Sequence, residues 1–234
     1  MNPNDPNVML LEMVAEQLGT QLLHDMVFVG GAVAGLLVTD PGSPPIRPTE
    51  DVDLIVRALA LVDYHRVEQA LERRGFARDM SAEAPICRWR VREVAVDVMP
   101  TLDHILGFSN RWYPLALDTA EIASLPSGTE IRLVRAPVFV ATKLEAFAGR
   151  GNNDYLFSHD LGDVLAIVDG RDELIDECAL SGAELRTYLR ERIANLLSNS
   201  GFLEALPGHL SGDAASQARL PDLRSKLHQI TRLS

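Results

Sequence analysis

Three aspartates have the residue type and spacing for chemistry on a phosphate. Asp51 and Asp53 are two positions apart in the β-branched run 51–56, and Asp97 lies in a second run of this kind, 94–99. Side chains of a strand alternate between its faces, so Asp51 and Asp53 project to the same side, about 7 Å apart along the backbone. Carboxylates placed in this way repel each other unless a cation lies between them, and Mg²⁺ is commonly held by carboxylates together with substrate phosphates. The structural alternative is that Asp51 caps a loop and Asp53 lies at an exposed strand edge.

A glycine pair, Gly30-Gly31, follows the short apolar run 26–29 and precedes a buried stretch that ends near residue 38. Glycine lets the backbone approach a phosphate closely and adopt positive φ, and the N–H groups at the start of a helix attract anions. Alone, such a pair indicates only a turn. Together with Asp51 and Asp53 it supplies both halves of a nucleoside triphosphate site, which are amides for the phosphates and carboxylates for the metal. Asp97 is costly to bury without a partner, so we expect it to reach solvent, a partner or a metal.

The elements that would position these residues follow from hydrophobic periodicity. Residues 8–23 and 61–74 predict helices, 26–29 and 51–56 predict strands, 86–99 predicts two strands or one bent strand, and 40–49 predicts a proline-rich loop. From residue 136 onward the pattern is mostly helical. We therefore predict an α+β fold with a mixed sheet in the N-terminal half and a helical C-terminal half, divided between about residues 111 and 135.

Composition narrows the function classes. The chain has 234 residues, 47% of them hydrophobic, and a formal net charge of −11, from 22 Lys and Arg against 33 Asp and Glu. A broad basic surface for long nucleic acid is therefore not expected, although a local cationic groove is compatible with this charge. Cys87 and Cys178 match no zinc or redox spacing, which favours reduced structural thiols. We expect a cytoplasmic protein with no membrane segment or export signal.

The glycine pair, the Asp51 and Asp53 strand preceded by Arg-Pro-Thr, and the later Asp97 resemble the polymerase-beta-type nucleotidyltransferase superfamily. Within it, the run 143–150 followed by 158–163 is similar to the AbiEii-like toxin nucleotidyltransferases. The likeness covers roughly residues 27–168. It implies a nucleotidyltransferase core over residues 1–120 and a mainly helical domain over residues 121–234. Ala32 stands where many members have Ser or Thr, so the hydroxyl contact to a phosphate would have to come from elsewhere.

The resemblance also implies the roles of the candidate residues. Two Mg²⁺ ions would be held by Asp51, Asp53 and Asp97, and an NTP such as ATP would be the substrate. Gly30, Gly31 and Lys143 would contact the nucleotide. Lys143 and Asp160 would match the later catalytic or substrate-binding positions, which completes the predicted catalytic set of Asp51, Asp53, Asp97, Lys143 and Asp160.

Each of the remaining candidates has a structural alternative. Lys143 could lie on a solvated helix face, Asp160 could cap the helix that begins near residue 161, and His159 could be a hydrogen-bonded structural histidine. Trp112 and Tyr113 would stack on a base or pack in a core or hinge. The row Arg88, Arg90 and Arg92 would contact an RNA acceptor or form a solvated strand face.

The resemblance thus implies a Mg²⁺-dependent nucleotidyltransferase that acts on tRNA or a protein, as the toxin of a toxin–antitoxin pair with an antitoxin protein as partner. One alternative is a small-molecule enzyme of the aminoglycoside-modifying kind, which an acidic protein tolerates better than a bulky RNA. The other is a catalytically silent nucleotide-binding protein on the same scaffold.

Overall fold

The computed structural model describes residues 2–234, and its central feature is a seven-stranded mixed sheet with many helices. This confirms the predicted fold class. The strands are β1 Met26–Val29, β2 Asp51–Val56, β3 Ala77–Arg78, β4 Arg88–Val91, β5 Val94–Pro100, β6 Glu121–Ser124 and β7 Glu130–Leu133. The helices are α1 Pro6–Asp25, α2 Ala34–Leu37, α3 Leu61–Arg73, α4 Asp103–Leu106, α5 Tyr113–Asp118, α6 Ala136–Arg150, α7 His159–Gly170, α8 Leu174–Ala179, α9 Ala183–Leu197, α10 Ser200–Ala205, α11 Ala214–Gln217 and α12 Leu220–Ile230.

Most predicted elements are present, and the differences are local. The stretch after the glycine pair is a 3-10 turn, Gly31–Val33, followed by the short α2, instead of one helix that reaches residue 38. The strands β3, β6 and β7 were not predicted. Because β6 and β7 pair with each other and β7 pairs with β1, the sheet continues beyond residue 120.

The sheet has the strand order β3-β4-β5-β2-β1-β7-β6. Its central strands are apolar: β1 is buried at all four positions, and β2 is buried at Val52 and from Leu54 to Val56. Strand β2 runs antiparallel to β1 and parallel to β5, and β5 forms an antiparallel hairpin with β4. Both strands that carry the candidate aspartates are therefore interior strands, whose register is fixed by a partner on each side.

The chain divides into two compact units. The first runs up to Gly35 and continues over Arg47–Arg135, and it contains the whole sheet. The second consists of Leu36–Ile46 and Ala136–Ser234 and is helical apart from its connecting segments. In the second unit α6 packs on α7 and α9, and α12 packs on α7, α8 and α9. No helix within residues 2–234 combines the length and apolar character needed to cross a membrane.

Candidate active site

The register of three strands brings Asp53 and Asp97 side by side. Asp53 on β2 is paired with Asp97 on β5, and Asp97 is paired in turn with Arg88 on β4. Paired residues on neighbouring strands project to the same face of a sheet, and Asp51 shares that face because it is two positions from Asp53. The three predicted carboxylates are thus placed on one face by backbone pairing alone.

Gly30 lies directly against this group. It has φ +73° and ψ −170°, a conformation essentially restricted to glycine. A Cβ atom at Gly30 would lie 1.8 Å from Oδ2 of Asp53, so only a residue without a side chain allows the Asp53 carboxylate to occupy its position. Gly31 opens the 3-10 turn that follows. The glycine pair and the strand with Asp51 and Asp53 are separate signals in the sequence. In the structure they are in direct contact, because Gly30 packs against Asp53.

A buried asparagine outside the predicted set anchors the segment that leads into β2. Asn7, only 2% exposed, donates from Nδ2 to the carbonyl of Arg47 at 3.0 Å and accepts at Oδ1 from the N–H of Thr49 at 2.9 Å. The Thr49 hydroxyl donates to the carbonyl of Asp51 at 3.2 Å. This chain of bonds fixes the approach to Asp51. Because the bonds join residues about 40 positions apart, the sequence contained no local signal for the role of Asn7.

The role of Arg88 at this site was not predicted from the sequence, which showed Arg88 only as part of a row with Arg90 and Arg92. The Nε and Nη2 atoms of Arg88 donate to the two carboxylate oxygens of Asp97 at 2.8 Å each, and Nη2 also donates to Oδ2 of Asp51 at 3.1 Å. These bonds to Asp97 are the main cause of a raised pKa of Arg88. The expected partner of the buried Asp97 is therefore a guanidinium. The alternative that Arg88 lies on a solvated strand face is wrong, because Arg88 is half-buried and ion-paired, whereas Arg90 is exposed and pairs with Asp79 at 2.8 Å. Contact of this row with an RNA acceptor stays a prediction.

The donor set of this site suits a divalent cation in three respects. It consists of carboxylate oxygens, its members share one face, and a positive group already lies between two of them. In the conformation described, however, Arg88 holds Asp97 and Asp51, and no set of three or more His, Cys, Asp and Glu side chains within residues 2–234 is arranged to hold a metal ion. The site is therefore built for positive charge, and a guanidinium now supplies that charge.

A cleft of about 490 Å³ opens beside Asp51 and Arg88. Its charged lining consists of Glu50, Asp51, Arg88, Arg90 and Glu93. Both arginines of the lining are already paired with carboxylates, whereas Glu50 and Glu93 are exposed. A volume in this range suits a small molecule, and the excess of carboxylates suits a cationic one.

Lys143 and Asp160 belong to a buried charge cluster in the helical unit. Lys143 on α6 is 8% exposed, and its Nζ lies 2.6 Å from Oδ2 of Asp163 and 3.3 Å from Oδ1 of Asp160, both on α7. Arg150 donates to both oxygens of Asp160, at 2.9 and 3.0 Å. Burial raises the pKa of Asp160, but the hydrogen bonds from Arg150 and the charge of Lys143 outweigh it and hold this pKa below the ordinary value.

The structural alternatives for these two residues are wrong. Lys143 does not lie on a solvated face, because it is buried and ion-paired, and the helix cap of α7 is Ser158 rather than Asp160. The predicted roles of Lys143 and Asp160 in catalysis or nucleotide binding stay predictions. Trp112 is buried at 3% exposure and Tyr113 donates its hydroxyl to Sδ of Met99 at 3.2 Å, an arrangement typical of core packing.

Comparison with known proteins gives distant structural similarities. No family model matches the chain, and no protein of curated function matches its sequence. The antibiotic-resistance factor ANT(2'')-Ia matches with 15% identity and a TM-score of 0.44, over 85% of this chain and 97% of the other. JHP933 from Helicobacter pylori matches with 12% identity and a TM-score of 0.45, over 96% of this chain and 92% of the other. A nucleotidyltransferase candidate from H. pylori matches with 13% identity and a TM-score of 0.44, over 99% of this chain and 96% of the other. At these values the function has to be argued from the site.

Proposed function

We propose that this protein is a nucleotidyltransferase, which binds an NTP with a divalent cation such as Mg²⁺ and transfers the nucleotidyl group to an acceptor. The observation that carries the proposal is the strand register that pairs Asp53 with Asp97 and places Asp51 on the same face. Gly30, packed against Asp53, adds a close backbone approach at the same place. Acidic side chains and a glycine turn together provide partners for a cation and for phosphate oxygens.

The roles of the residues follow from what each group can do. Asp51, Asp53 and Asp97 would hold the cation, which offsets the negative charge of the triphosphate. The turn at Gly30-Gly31 would bring backbone N–H groups near the phosphates. Asp97, once it is released from Arg88, would accept the proton of the acceptor hydroxyl as its oxygen bonds to the α-phosphorus of the NTP and pyrophosphate leaves.

The cleft favours a small cationic acceptor over RNA. Beyond the carboxylate that Arg88 already neutralises, its lining adds the exposed charges of Glu50 and Glu93, which repel a nucleic-acid backbone and attract an amine-bearing molecule. We therefore propose a small-molecule acceptor of the aminoglycoside type as the favoured candidate. A tRNA or protein acceptor, an antitoxin partner and a toxin role stay predictions from the sequence resemblance.

Label transfer tests this function directly. The purified protein is incubated with α-³²P-labelled nucleoside triphosphates and Mg²⁺, in separate reactions with aminoglycosides, total RNA and a protein extract. We expect label on the aminoglycosides, and a rate that falls about 10²-fold or more in Asp53→Ala because a carboxylate of the reaction centre is lost. Asp118→Asn is the matched control, since it removes an exposed carboxylate that pairs with Arg57 at the surface of the same unit.

Two results would contradict the proposal. One is the absence of label on every acceptor, which would favour the catalytically silent nucleotide-binding protein. The other is a folded Asp53→Ala variant that transfers label at the wild-type rate. A circular dichroism spectrum and an unfolding curve identical to those of the wild type establish that the variant is folded. Label on RNA or protein would keep the transferase and exclude the aminoglycoside-type acceptor.

A further inference from the structure

The guanidinium of Arg88 lies between the carboxylates that the proposed function assigns to a divalent cation. It uses two donors on Asp97 and shares one of them with Asp51, at 2.8, 2.8 and 3.1 Å. Charge-assisted, two-point bonds between arginine and a carboxylate are among the strongest hydrogen bonds in proteins. A divalent cation on the same oxygens would lie close to a second positive charge, and like charges at this distance repel. The guanidinium and the cation therefore compete.

The guanidinium of Arg88 has space to move away from Asp97 and Asp51. The Arg88 side chain is 26% exposed to solvent, whereas the Asp97 side chain is 11% exposed. Arg88 also lines the open cleft, so its guanidinium can rotate into this space without displacing a core residue. There it would meet the exposed carboxylates of Glu50 and Glu93, which line the same cleft and offer the same two-point geometry as Asp97.

We propose that Arg88 is an exchangeable counterion: it balances the Asp97 and Asp51 carboxylates when no cation is bound to them, and the divalent cation binds when Arg88 moves from them to the cleft. This inference rests on the proposed function for the identity of the cation. It goes further by assigning a competitor that sets cation affinity. Arg88 is a positioning residue in this scheme, because it acts through Asp97 and Asp51.

Metal binding, measured without any substrate, tests the exchange. Mn²⁺ is titrated into the full-length protein, and the free ion is followed by electron paramagnetic resonance. We expect Arg88→Met to tighten Mn²⁺ binding roughly tenfold, since the cation no longer has to break charge-assisted hydrogen bonds. Arg88→Lys should fall between this variant and the wild type, because lysine keeps the charge but loses the two-point geometry.

Arg90→Met is the matched control. Arg90 lines the same cleft and carries the same charge, but it pairs with Asp79 instead of the carboxylates of the site. We expect its Mn²⁺ affinity to stay within about twofold of the wild type, as for a charge partly screened by solvent. An equal gain in Arg88→Met and Arg90→Met would show a general charge effect and overturn the exchange.

Stability provides a second measurement in case Arg88→Met is marginally folded. Without metal, this variant leaves Asp97 buried without its guanidinium, so it should unfold at a lower temperature than the wild type. Saturating Mn²⁺ should raise its melting temperature by more than it raises that of the wild type, because a cation that binds more tightly to the folded state stabilises it more. An equal or smaller rise would overturn the proposal.

The outcomes separate this inference from the proposed function. An Mn²⁺ affinity that is unchanged or weakened in both Arg88 variants overturns the exchange, as does a lack of Mn²⁺ binding by every variant. If the protein transfers label and its Mn²⁺ affinity does not change in the Arg88 variants, the proposed transferase is supported and only the exchange is overturned. Mn²⁺ binding that tightens in Arg88→Met, together with no label transfer by the wild type, supports the exchange and contradicts the proposed transferase.

Discussion

Replacing Gly30 with alanine should damage the protein through one identifiable contact. The new Cβ would lie 1.8 Å from Oδ2, 2.5 Å from Cγ and 2.6 Å from Cβ of Asp53, so the aspartate side chain and its strand would have to shift. The backbone conformation adds about 1–3 kcal/mol, because φ near +73° with ψ near −170° is unfavourable for any side chain. Overpacking against Asp53 adds about 1–3 kcal/mol more. We therefore expect Gly30→Ala to lower the free energy of unfolding by roughly 2–6 kcal/mol in total.

Gly107→Ala is the matched control for backbone strain. Gly107 also has a positive φ, +82°, but a Cβ there would meet nothing within 4 Å. Gly107→Ala should lower the free energy of unfolding by about 1–2 kcal/mol, which is the usual penalty for a non-glycine residue in the left-handed conformation. Urea unfolding followed by tryptophan fluorescence reports on the correct unit, because Trp89 and Trp112 both lie in the sheet unit.

A double-mutant cycle isolates the contact itself. Asp53→Ala removes the carboxylate atoms that the new Cβ at position 30 would strike but keeps Cβ of residue 53, 2.6 Å from it. The cost of Gly30→Ala should therefore be smaller in that background by part of the overpacking cost of about 1–3 kcal/mol. Equal losses in Gly30→Ala and Gly107→Ala, or an additive cycle, would refute the packing of Gly30 against Asp53.

Two further predictions concern other groups. The pKa of Asp160 is held below its ordinary value of 3.8, so its contribution to stability should be fully present above pH 3.8 and be lost as the pH falls through the lowered value. The stability difference between the wild type and Asp160→Asn, measured by urea unfolding at pH 7, 5 and 3, should therefore shrink only at the lowest pH, and a constant difference would contradict this. Burial raises the pKa of Cys87 and of Cys178 to about 12, so neither thiol should react with Ellman's reagent at pH 8 until the protein unfolds. Immediate reaction of either thiol in the native protein would contradict that expectation.

Local patterns in the sequence predicted how the carboxylates of the candidate site are placed. Asp51 and Asp53 lie on one face because strand side chains alternate, and Asp97 could be recognised as a carboxylate that needs a partner in an apolar strand. Gly30 was recognisable as a site of close backbone approach. These inferences depend on neighbours in the chain, which the sequence shows directly.

The missed features depend on contacts between distant residues. The alternation of Arg88 with Trp89 showed which face Arg88 occupies, but not that β5 and β2 would place two carboxylates within its reach. Lys143 is buried between partners 17 and 20 positions away on another helix, and lysine is a residue type that is rarely buried.

The unpredicted strands carry weak signals for a different reason. Both residues of β3 are exposed, and β6 is exposed at three of its four positions. Strands of this kind have no apolar alternation to detect, and they form because an adjacent strand offers free backbone groups.

The pairing of Asp53 with Asp97 also determines which changes in length the chain can accept. A one-residue deletion inside β2 or β5 would turn one carboxylate to the opposite face, because side chains alternate along a strand. An insertion at residues 44–46, before the Arg47 and Thr49 that Asn7 holds, would leave the pairing of the two strands unaltered. Insertions and deletions among related sequences should therefore occur in the segments between the strands, while β2 and β5 keep their lengths.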